Sequence, residues 1–315
     1  MSAEVAIDEP WRPWGFIRSL MLRAGIRGRS IVILPPMLWL GVFFLVPLAV
    51  VCKISFSEAV TARPPYLPLL VFSDDGSVQL TLHLSNYIYL FEDVLYIAAY
   101  LNSVKIAAIS TVIALLIGYP MAYFIARSPG RLRNVLLMLV ILPFWSSFLL
   151  RVYAWIGFLK NNGVINNFLA LFHIGPITML QTDFAVYVGI VYTYLPFMIL
   201  PLYTNLVKLD SALLEASADL GARPFRTFLS VTLPLSMPGI IAGSMLVFIP
   251  AIGEYVIPQL LGGPSTLMIG RVLWDEFFAN RDWPLASSVA IAMLIVVVGP
   301  LMLLQRVQSS VVERK

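Results

Sequence analysis

Six charged side chains, Lys208, Asp210, Glu215, Asp219, Arg223 and Arg226, crowd one short stretch of a chain in which only 12% of residues are charged. Ordinary soluble domains carry about 25%. Such a cluster, interleaved with Leu213, Leu214, Ala218 and Phe225, has the chemistry of a docking face rather than of a catalyst. The plainer alternative, a helix lying flat on lipid, is usually basic, whereas the first helix expected here is acidic. A second group is Glu254, the one acid abutting the apolar end of a long stretch, with Trp145, Tyr153, Trp155, Tyr192, Tyr194, Tyr255 and Trp274 in or beside the apolar runs. Acids and ring faces together suit a flexible cation, each cation–π contact being worth about 0.5–2 kcal/mol. Two plainer roles stand beside that one. Aromatics also form interfacial belts and helix contacts, and Glu254 can pair with Arg151 or Arg271.

The motifs of common catalysts are missing. There is no G-x-x-x-x-G-K-[ST] to cradle nucleotide phosphates, and the "GGPST" at Gly262–Thr266 lacks the lysine and reads as a turn. His83 and His173 lie far apart without a ligand-spaced partner, so no metal site is expected. Cys52 is the single cysteine and can form no disulfide within the chain. No G-x-S-x-G or H-E-x-x-H occurs. These absences favour a conduit over an enzyme, with no cofactor and no nucleic acid expected on this chain.

The elements that must position these groups follow from composition. The chain has 315 residues, 59% of them hydrophobic, with mean hydropathy +0.87. That is more apolar surface than a soluble core can bury, so a membrane is the expected solvent. Six stretches are nearly free of charge: Ile31–Cys52, Ile106–Ala126, Val135–Leu150 with its continuation to Leu159, Phe184–Val207, Thr227–Gly253 and Trp283–Gln305. Crossing the hydrocarbon takes roughly 20 helical residues. Helices satisfy every backbone polar group within their own segment, so an all-α protein of six transmembrane helices is expected. Pro35, Pro36, Pro47, Pro120, Pro143, Pro196, Pro201, Pro250 and Pro300 fall inside these stretches. Membrane helices accept such residues, as packing irregularities or as bends around a pathway.

Charge sets the sidedness. Fourteen of the 21 Lys and Arg fall in the N-terminal segment (Arg12, Arg18, Arg23, Arg27, Arg29), the second loop (Arg127, Arg131, Arg133), the fourth loop (Lys208, Arg223, Arg226) and the C-terminus (Arg306, Arg314, Lys315). The positive-inside rule then places both termini and the Leu209–Phe228 loop in the cytoplasm. The opposite loops collect acids, among them Glu58, Asp74, Asp75, Glu92, Asp93, Asp183, Asp275, Glu276 and Asp282. These can attract cations, or are simply what remains when bases are kept inside. The expected organisation is a basic segment 1–30, a six-span domain 31–307 with an outer loop 55–98 and an inner loop 208–228, and a tail 308–315. The N-terminal apolar run is too long for a cleaved signal.

The charged loop is organised for helix. Burying its six charges would cost about 2.5–3.5 kcal/mol each, on the order of 15 kcal/mol together, so it stays outside the membrane. Asp210 or Ser211 can cap the start. Ser211–Leu220 is rich in Ala and Leu. Gly221 can end the helix in a left-handed conformation. Pro224 suits the first turn of a second helix, expected over Phe225–Thr232.

This loop resembles the cytoplasmic loop of ABC-importer permeases, which carries E-A-A, three residues, Gly, nine residues, Ile, one residue, and Leu-Pro. Here the pattern reads Glu215-Ala216-Ser217, Gly221, Val231 and Leu233-Pro234, with Ser217 and Val231 as small departures. The resemblance implies a coupling helix inserted into a separate ATPase subunit. Glu215, Ala216 and Gly221 would form its core, with Ser217 in the same joint, Glu215 capping or pairing across it and Gly221 allowing a tight turn or a close approach. Asp219 and Arg223 are added by position as rim contacts.

"RVYAWIGFLKNNGVINNFL" (151–169), "VYTYLPFMILPLY" (191–203), "FIPAIGEYVIPQLLGG" (248–263) and "LMIGRVLWDEFFANRDWP" (267–284) further resemble the polyamine importer permeases. The pattern is closest to the larger permease subunit of putrescine importers, which has a long basic N-terminal segment and a long first outer loop. The resemblance implies a multi-pass bacterial inner-membrane protein moving putrescine or spermidine by alternating access. Its implied partners are a second, homologous permease, two ATPase subunits holding ATP and Mg, a periplasmic binding protein that does much of the substrate selection, and lipid. Permeases for an amino acid, sulfate or ferric ion are the alternative within the class; a stand-alone channel or secondary carrier lies outside it.

Overall fold

The computed structural model describes residues 28–72 and 78–312. The basic segment apart from residues 28–30, the loop acids Asp74 and Asp75, and residues 313–315 of the expected tail lie outside them. The chain divides into two units, 1–54 and 55–315.

In the first unit, α1 (Gly28–Leu40) passes through a π-helical turn at Gly41–Leu45 into α2 (Val46–Ser55). Pro47 opens α2. Having no N–H, it leaves a carbonyl one turn back without a partner, and a widened π turn is one way a helix absorbs that defect. Val32–Ser55 is long and apolar enough to cross a membrane. Most of its large side chains, Trp39, Phe43 and Phe44 among them, are exposed.

The second unit is built of helices: α3 (Ser85–Glu92), α4 (Val94–Arg127), α5 (Gly130–Ile141), α6 (Phe148–Leu159), α7 (Val164–Ala170), α8 (Asp183–Leu206), α9 (Ser211–Asp219), α10 (Pro224–Thr227), α11 (Leu233–Leu235), α12 (Met237–Ile252), α13 (Val256–Leu261), α14 (Ile269–Trp274) and α15 (Trp283–Val312). One small departure from an all-α chain is an antiparallel pair in the long loop, β1 (Leu70–Phe72) with β2 (Val78–Leu80), in register Leu70 to Leu80. The other is that helix resumes within the expected loop 55–98, at Ser85 and again at Val94. Lys105, which borders the expected stretch Ile106–Ala126, therefore lies well inside α4.

Helices α4, α8 and α12 pack on one another and make the core. Ile106, Ile190, Met198, Ile199, Leu202 and Val247 are fully buried between them. In lipid such packing rests on van der Waals contact and hydrogen bonds, because tails are as apolar as leucine. Two of the hydrogen bonds join distant segments: Ser103 Oγ accepts from the amide of Ile269 at 2.7 Å, and Tyr119 Oη meets Ser236 Oγ at 2.8 Å.

Beside Val32–Ser55, α4 and α8 are long and apolar enough to cross a membrane, and two bent pairs qualify if each is one broken span. A further apolar stretch is Trp283–Gly299 of α15. The expected run through Val135–Leu150 is corrected here. Helix holds to Ile141, tightens into a 3₁₀ turn at Leu142–Trp145 around Pro143, and restarts at Phe148 with a 93° bend. The second bent pair, 66°, turns at Ser236 between α11 and α12. By contrast Pro120, Pro196, Pro201 and Pro250 sit inside continuous helices.

Candidate functional site

The charged loop folds as two short helices joined by a tight turn. Asp210 caps α9, its Oδ1 accepting from the amide of Ala212 at 3.0 Å. The far end closes with the amide of Gly221 on the carbonyl of Ala218 (2.8 Å) and that of Ala222 on Ser217 (3.1 Å). This is the paired pattern of a helix terminated by a left-handed residue, and Gly221 supplies it with φ +78°. Pro224 opens α10 as expected. The second helix does not run on to Thr232: it becomes a π turn at Phe228–Thr232, just before Pro234. Ser217 Oγ bonds Thr227 Oγ1 at 2.9 Å and ties the two arms together.

The outward face of this hairpin is unusual for a folded surface. Leu220 is 89% exposed and Phe225 73%, Leu213 is exposed beside them, and only Leu214 of the expected apolar face is half-buried. Glu215, Ala216, Asp219, Gly221 and Arg223 are exposed and Ser217 is half-buried. All six residues of the predicted joint thus lie on one short structured knob, with large apolar side chains uncovered among the charges.

The second group is brought together only in part. Glu254 is 8% exposed, in the turn between α12 and α13. Its Oε1 accepts from the amides of Val256 (3.1 Å) and Ile257 (3.4 Å), and its Oε2 from the Tyr194 hydroxyl at 2.6 Å. The expected pairing with Arg151 or Arg271 is not found. Arg271 lies near Asp275 at 3.9 Å. Arg151 donates to the carbonyl of Pro143 and stands over the Phe144 ring. The reason is local: the first amides of α13 need an acceptor, and a carboxylate two residues upstream reaches them. Three donors leave a carboxylate room for another. Gly270 presses α14 onto the same turn, since a Cβ there would lie 2.5 Å from the Gly253 carbonyl oxygen and 2.7 Å from that of Glu254.

Tyr255 stacks on Trp274 with ring centres 4.4 Å apart and planes 15° from parallel. Trp155 meets Tyr192 edge-on at 5.4 Å. Trp145, 80% exposed, and Tyr153, also exposed, join neither group. Sequence reasoning missed that Trp274 begins an aromatic run through Phe278, Phe277 and Trp283, the last two stacked at 5.1 Å. The i, i+4 spacing of Trp274 and Phe278 was the available signal.

It also missed a recess of about 720 Å³ beside that run, lined by Tyr89, Glu92, Tyr96, Glu276, Asn280 and Asp282. Glu276 accepts from Tyr96 Oη (2.8 Å) and from the Asn280 amide (2.9 Å). Among the described residues no cation pairs with Glu92, Glu276 or Asp282. Burial pushes the Asp282 carboxyl above its ordinary range, the Leu285 amide opposes that shift, and the nearby charge of Glu276 adds to it.

Long apolar helices, two sharp elbows within helix pairs, and a structured polar knob between two of the apolar segments define a multi-pass α-helical membrane protein. Residues 114–313 match the family described as binding-protein-dependent transport system inner membrane components, and the chain belongs to that family. It is 42% identical over 261 residues to the spermidine/putrescine transport system permease protein PotB of Haemophilus influenzae, covering 82% of this chain and 86% of that protein. To the protein of the same name from Escherichia coli K12 it is 40% identical over 260 residues, covering 82% and 90%. The fold is similar to that of a bacterial ABC transporter involved in the import of the acidic polysaccharide alginate, with TM-score 0.66 at 17% identity over 93% of this chain and 98% of that one. Members of the family are transport subunits, so the chain is no enzyme.

Proposed function

We propose that this chain is one of two membrane subunits of an ATP-binding-cassette importer for a polyamine, putrescine or spermidine. The observation that carries the reading is 40–42% identity, over four-fifths of the chain, to permease proteins of spermidine/putrescine transport systems. Six spans cross the inner membrane: the helix of the first unit, α4, the bent pair α5–α6, α8, the bent pair running from α10 to α12, and α15. The arginine distribution favours both termini and α9 on the cytoplasmic side.

On this reading α9 is the coupling helix. Glu215, Ala216, Ser217, Asp219, Gly221 and Arg223 seat it in an ATPase subunit, and the uncovered Leu220 and Phe225 supply the apolar contact such a joint needs. ATP and Mg belong to two such ATPase subunits, a second permease completes the path, and a periplasmic protein delivers the solute. A dication released there would meet Glu92, Glu276 and Asp282 first and then the aromatic run that begins at Trp283 and ends at Tyr255, next to Glu254. Trp145, Tyr153, Trp155, Tyr192 and Tyr194 complete the proposed path on the α5–α6 and α8 side.

The test is uptake of labelled putrescine and spermidine by cells carrying the complete system, with and without Glu215→Arg in this chain. Uptake that competes with unlabelled polyamine but not with an amino acid, sulfate or ferric ion is expected. Glu215→Arg should lower uptake and solute-stimulated ATP hydrolysis at least tenfold in order of magnitude, because it places a cation where an anion docks, while membrane insertion stays intact. Polyamine uptake unchanged on deleting this chain would refute the substrate. Full activity of the variant would refute the joint.

A further inference from the structure

Helices α4, α5 and α8 enclose a groove of about 330 Å³ whose lining is apolar, with Met121 and Phe124 from α4, Leu136 and Val140 from α5, and Leu195 and Ile199 from α8. Phe124 is exposed along it. The groove ends toward the turn that joins α4 to α5, where Arg127 closes α4 and Arg131 and Arg133 lie at the start of α5. Arg127 follows Phe124 by three residues and Arg133 precedes Leu136 by three. Each therefore continues the same side of its helix one turn beyond the apolar lining, about 5 Å further along. Arg127 stands over the Tyr123 ring at 5.4 Å. Among the described residues none of the three arginines has an acidic partner.

We infer that this groove seats one acyl chain of an anionic phospholipid whose phosphate lies on the Arg127–Arg133 turn. The argument is charge complementarity joined to depth. An aliphatic chain fits the lining, and the same molecule carries an anion at the level where three guanidinium groups stand without an acidic partner. Guanidinium forks match phosphate oxygens in bidentate geometry. A neutral lipid satisfies only the apolar half, and a helix of a second permease would have to bring its own acids to the turn.

The purified transport complex, with whatever subunits accompany this chain, is titrated with phosphatidylglycerol and with phosphatidylcholine of the same acyl chains, and retained lipid is read by native mass spectrometry. Phosphatidylglycerol should be retained at least about tenfold better, since each basic residue near an anionic lipid contributes about fivefold. Replacing all three arginines by Gln should remove that preference, whereas replacing them by Lys should keep most of it and so control for folding. Leu195→Trp, which fills the groove, should lower retention of phosphatidylglycerol with the arginines in place. Equal retention of the two lipids by the unaltered protein, or an undiminished preference in the Gln variant, overturns the inference. So does a photo-crosslinker at position 124 that captures a second permease subunit instead of lipid.

Discussion

The conformation of Gly221 makes a prediction that separates two explanations of why a glycine stands there. A turn needs φ above zero, whereas a close approach needs the absence of Cβ. At φ +78° an alanine is strained by about 1–2 kcal/mol. A Cβ built at that position meets no heavy atom within 4 Å, so within this chain nothing but backbone strain opposes it. A penalty of 1 kcal/mol is about a fivefold change in population, and 2 kcal/mol is about thirtyfold. Gly221→Ala should therefore lower the fraction of hairpins with the closed end and, on the proposed reading, reduce solute-stimulated ATP hydrolysis by about five- to thirtyfold in the reconstituted complex. Asparagine tolerates the left-handed region far better than alanine, so Gly221→Asn should recover most of the loss, and Gly221→Val should be worst. The result that refutes this reasoning is Asn as damaging as Ala. That would mean the docked ATPase needs the space of the missing side chain and that φ is incidental. Wild-type activity in Gly221→Ala would show that the closed helix end plays no part in coupling.

Other consequences concern the two acidic sites. Glu254→Ala leaves the Val256 amide and the Tyr194 hydroxyl without an acceptor in a buried turn, at about 1–3 kcal/mol per group. It should lower thermal stability in detergent clearly more than Tyr194→Phe, which removes one donor to a carboxylate that keeps its two amides; equal losses would mean that the amide bonds do not hold the turn. Asp282 has a folded-state pKa above its ordinary value. Its contribution to stability is therefore fully present below the unfolded pKa and fades as pH rises through the folded one. Asp282→Asn keeps an acceptor for the Leu285 amide at 2.9 Å and removes the half-buried charge. The variant should be at least as stable as wild type at neutral pH and should show a shallower change between pH 3 and 7 in a melting series, and a steeper one would reverse the assignment.

Much of the framework was legible because the membrane imposes simple rules on sequence. Charge-free runs marked every long apolar helix, and Asp210, Gly221 and Pro224 marked the start of the hairpin, its turn and the start of its second arm, though not where that arm ends, since caps and left-handed ends have strong local preferences. The proposed substrate side was far less legible. The recess draws Glu92 and Tyr96 from one end of the long loop and Glu276 and Asp282 from beyond the last turn, and no periodicity links positions so far apart. Glu254 was visible as an isolated acid, but its use as an acceptor for the start of α13 depends on where a six-residue helix begins. The proline count was a poor guide to bends. Pro35, Pro36, Pro120, Pro196, Pro201 and Pro250 sit within continuous helices, while the 93° elbow follows Pro143, where the 3₁₀ turn ends at Ser146 and the Pro143 carbonyl takes donors from Ser146 and Arg151.

The second elbow bears on how force would travel. The hairpin of α9 and α10 runs without a loop into the π turn at Phe228–Thr232 and then into α11. At Ser236 the chain turns through 66° into α12, which packs against α4 and α8 in the core. Tyr119 of α4 bonds Ser236 at that corner, and its ring meets Phe228 edge-on at 5.5 Å. A push on α9 therefore reaches α12 through a joint that α4 already holds, rather than through a flexible linker. The π turn lies just before Pro234, whose missing N–H leaves a carbonyl one turn back without its helical donor, and a widened turn is one way a helix absorbs that defect. If the proposed coupling is correct, Tyr119→Phe should uncouple ATP hydrolysis from uptake while leaving the hairpin folded. Loss of both together would point instead to collapse of the core around α4.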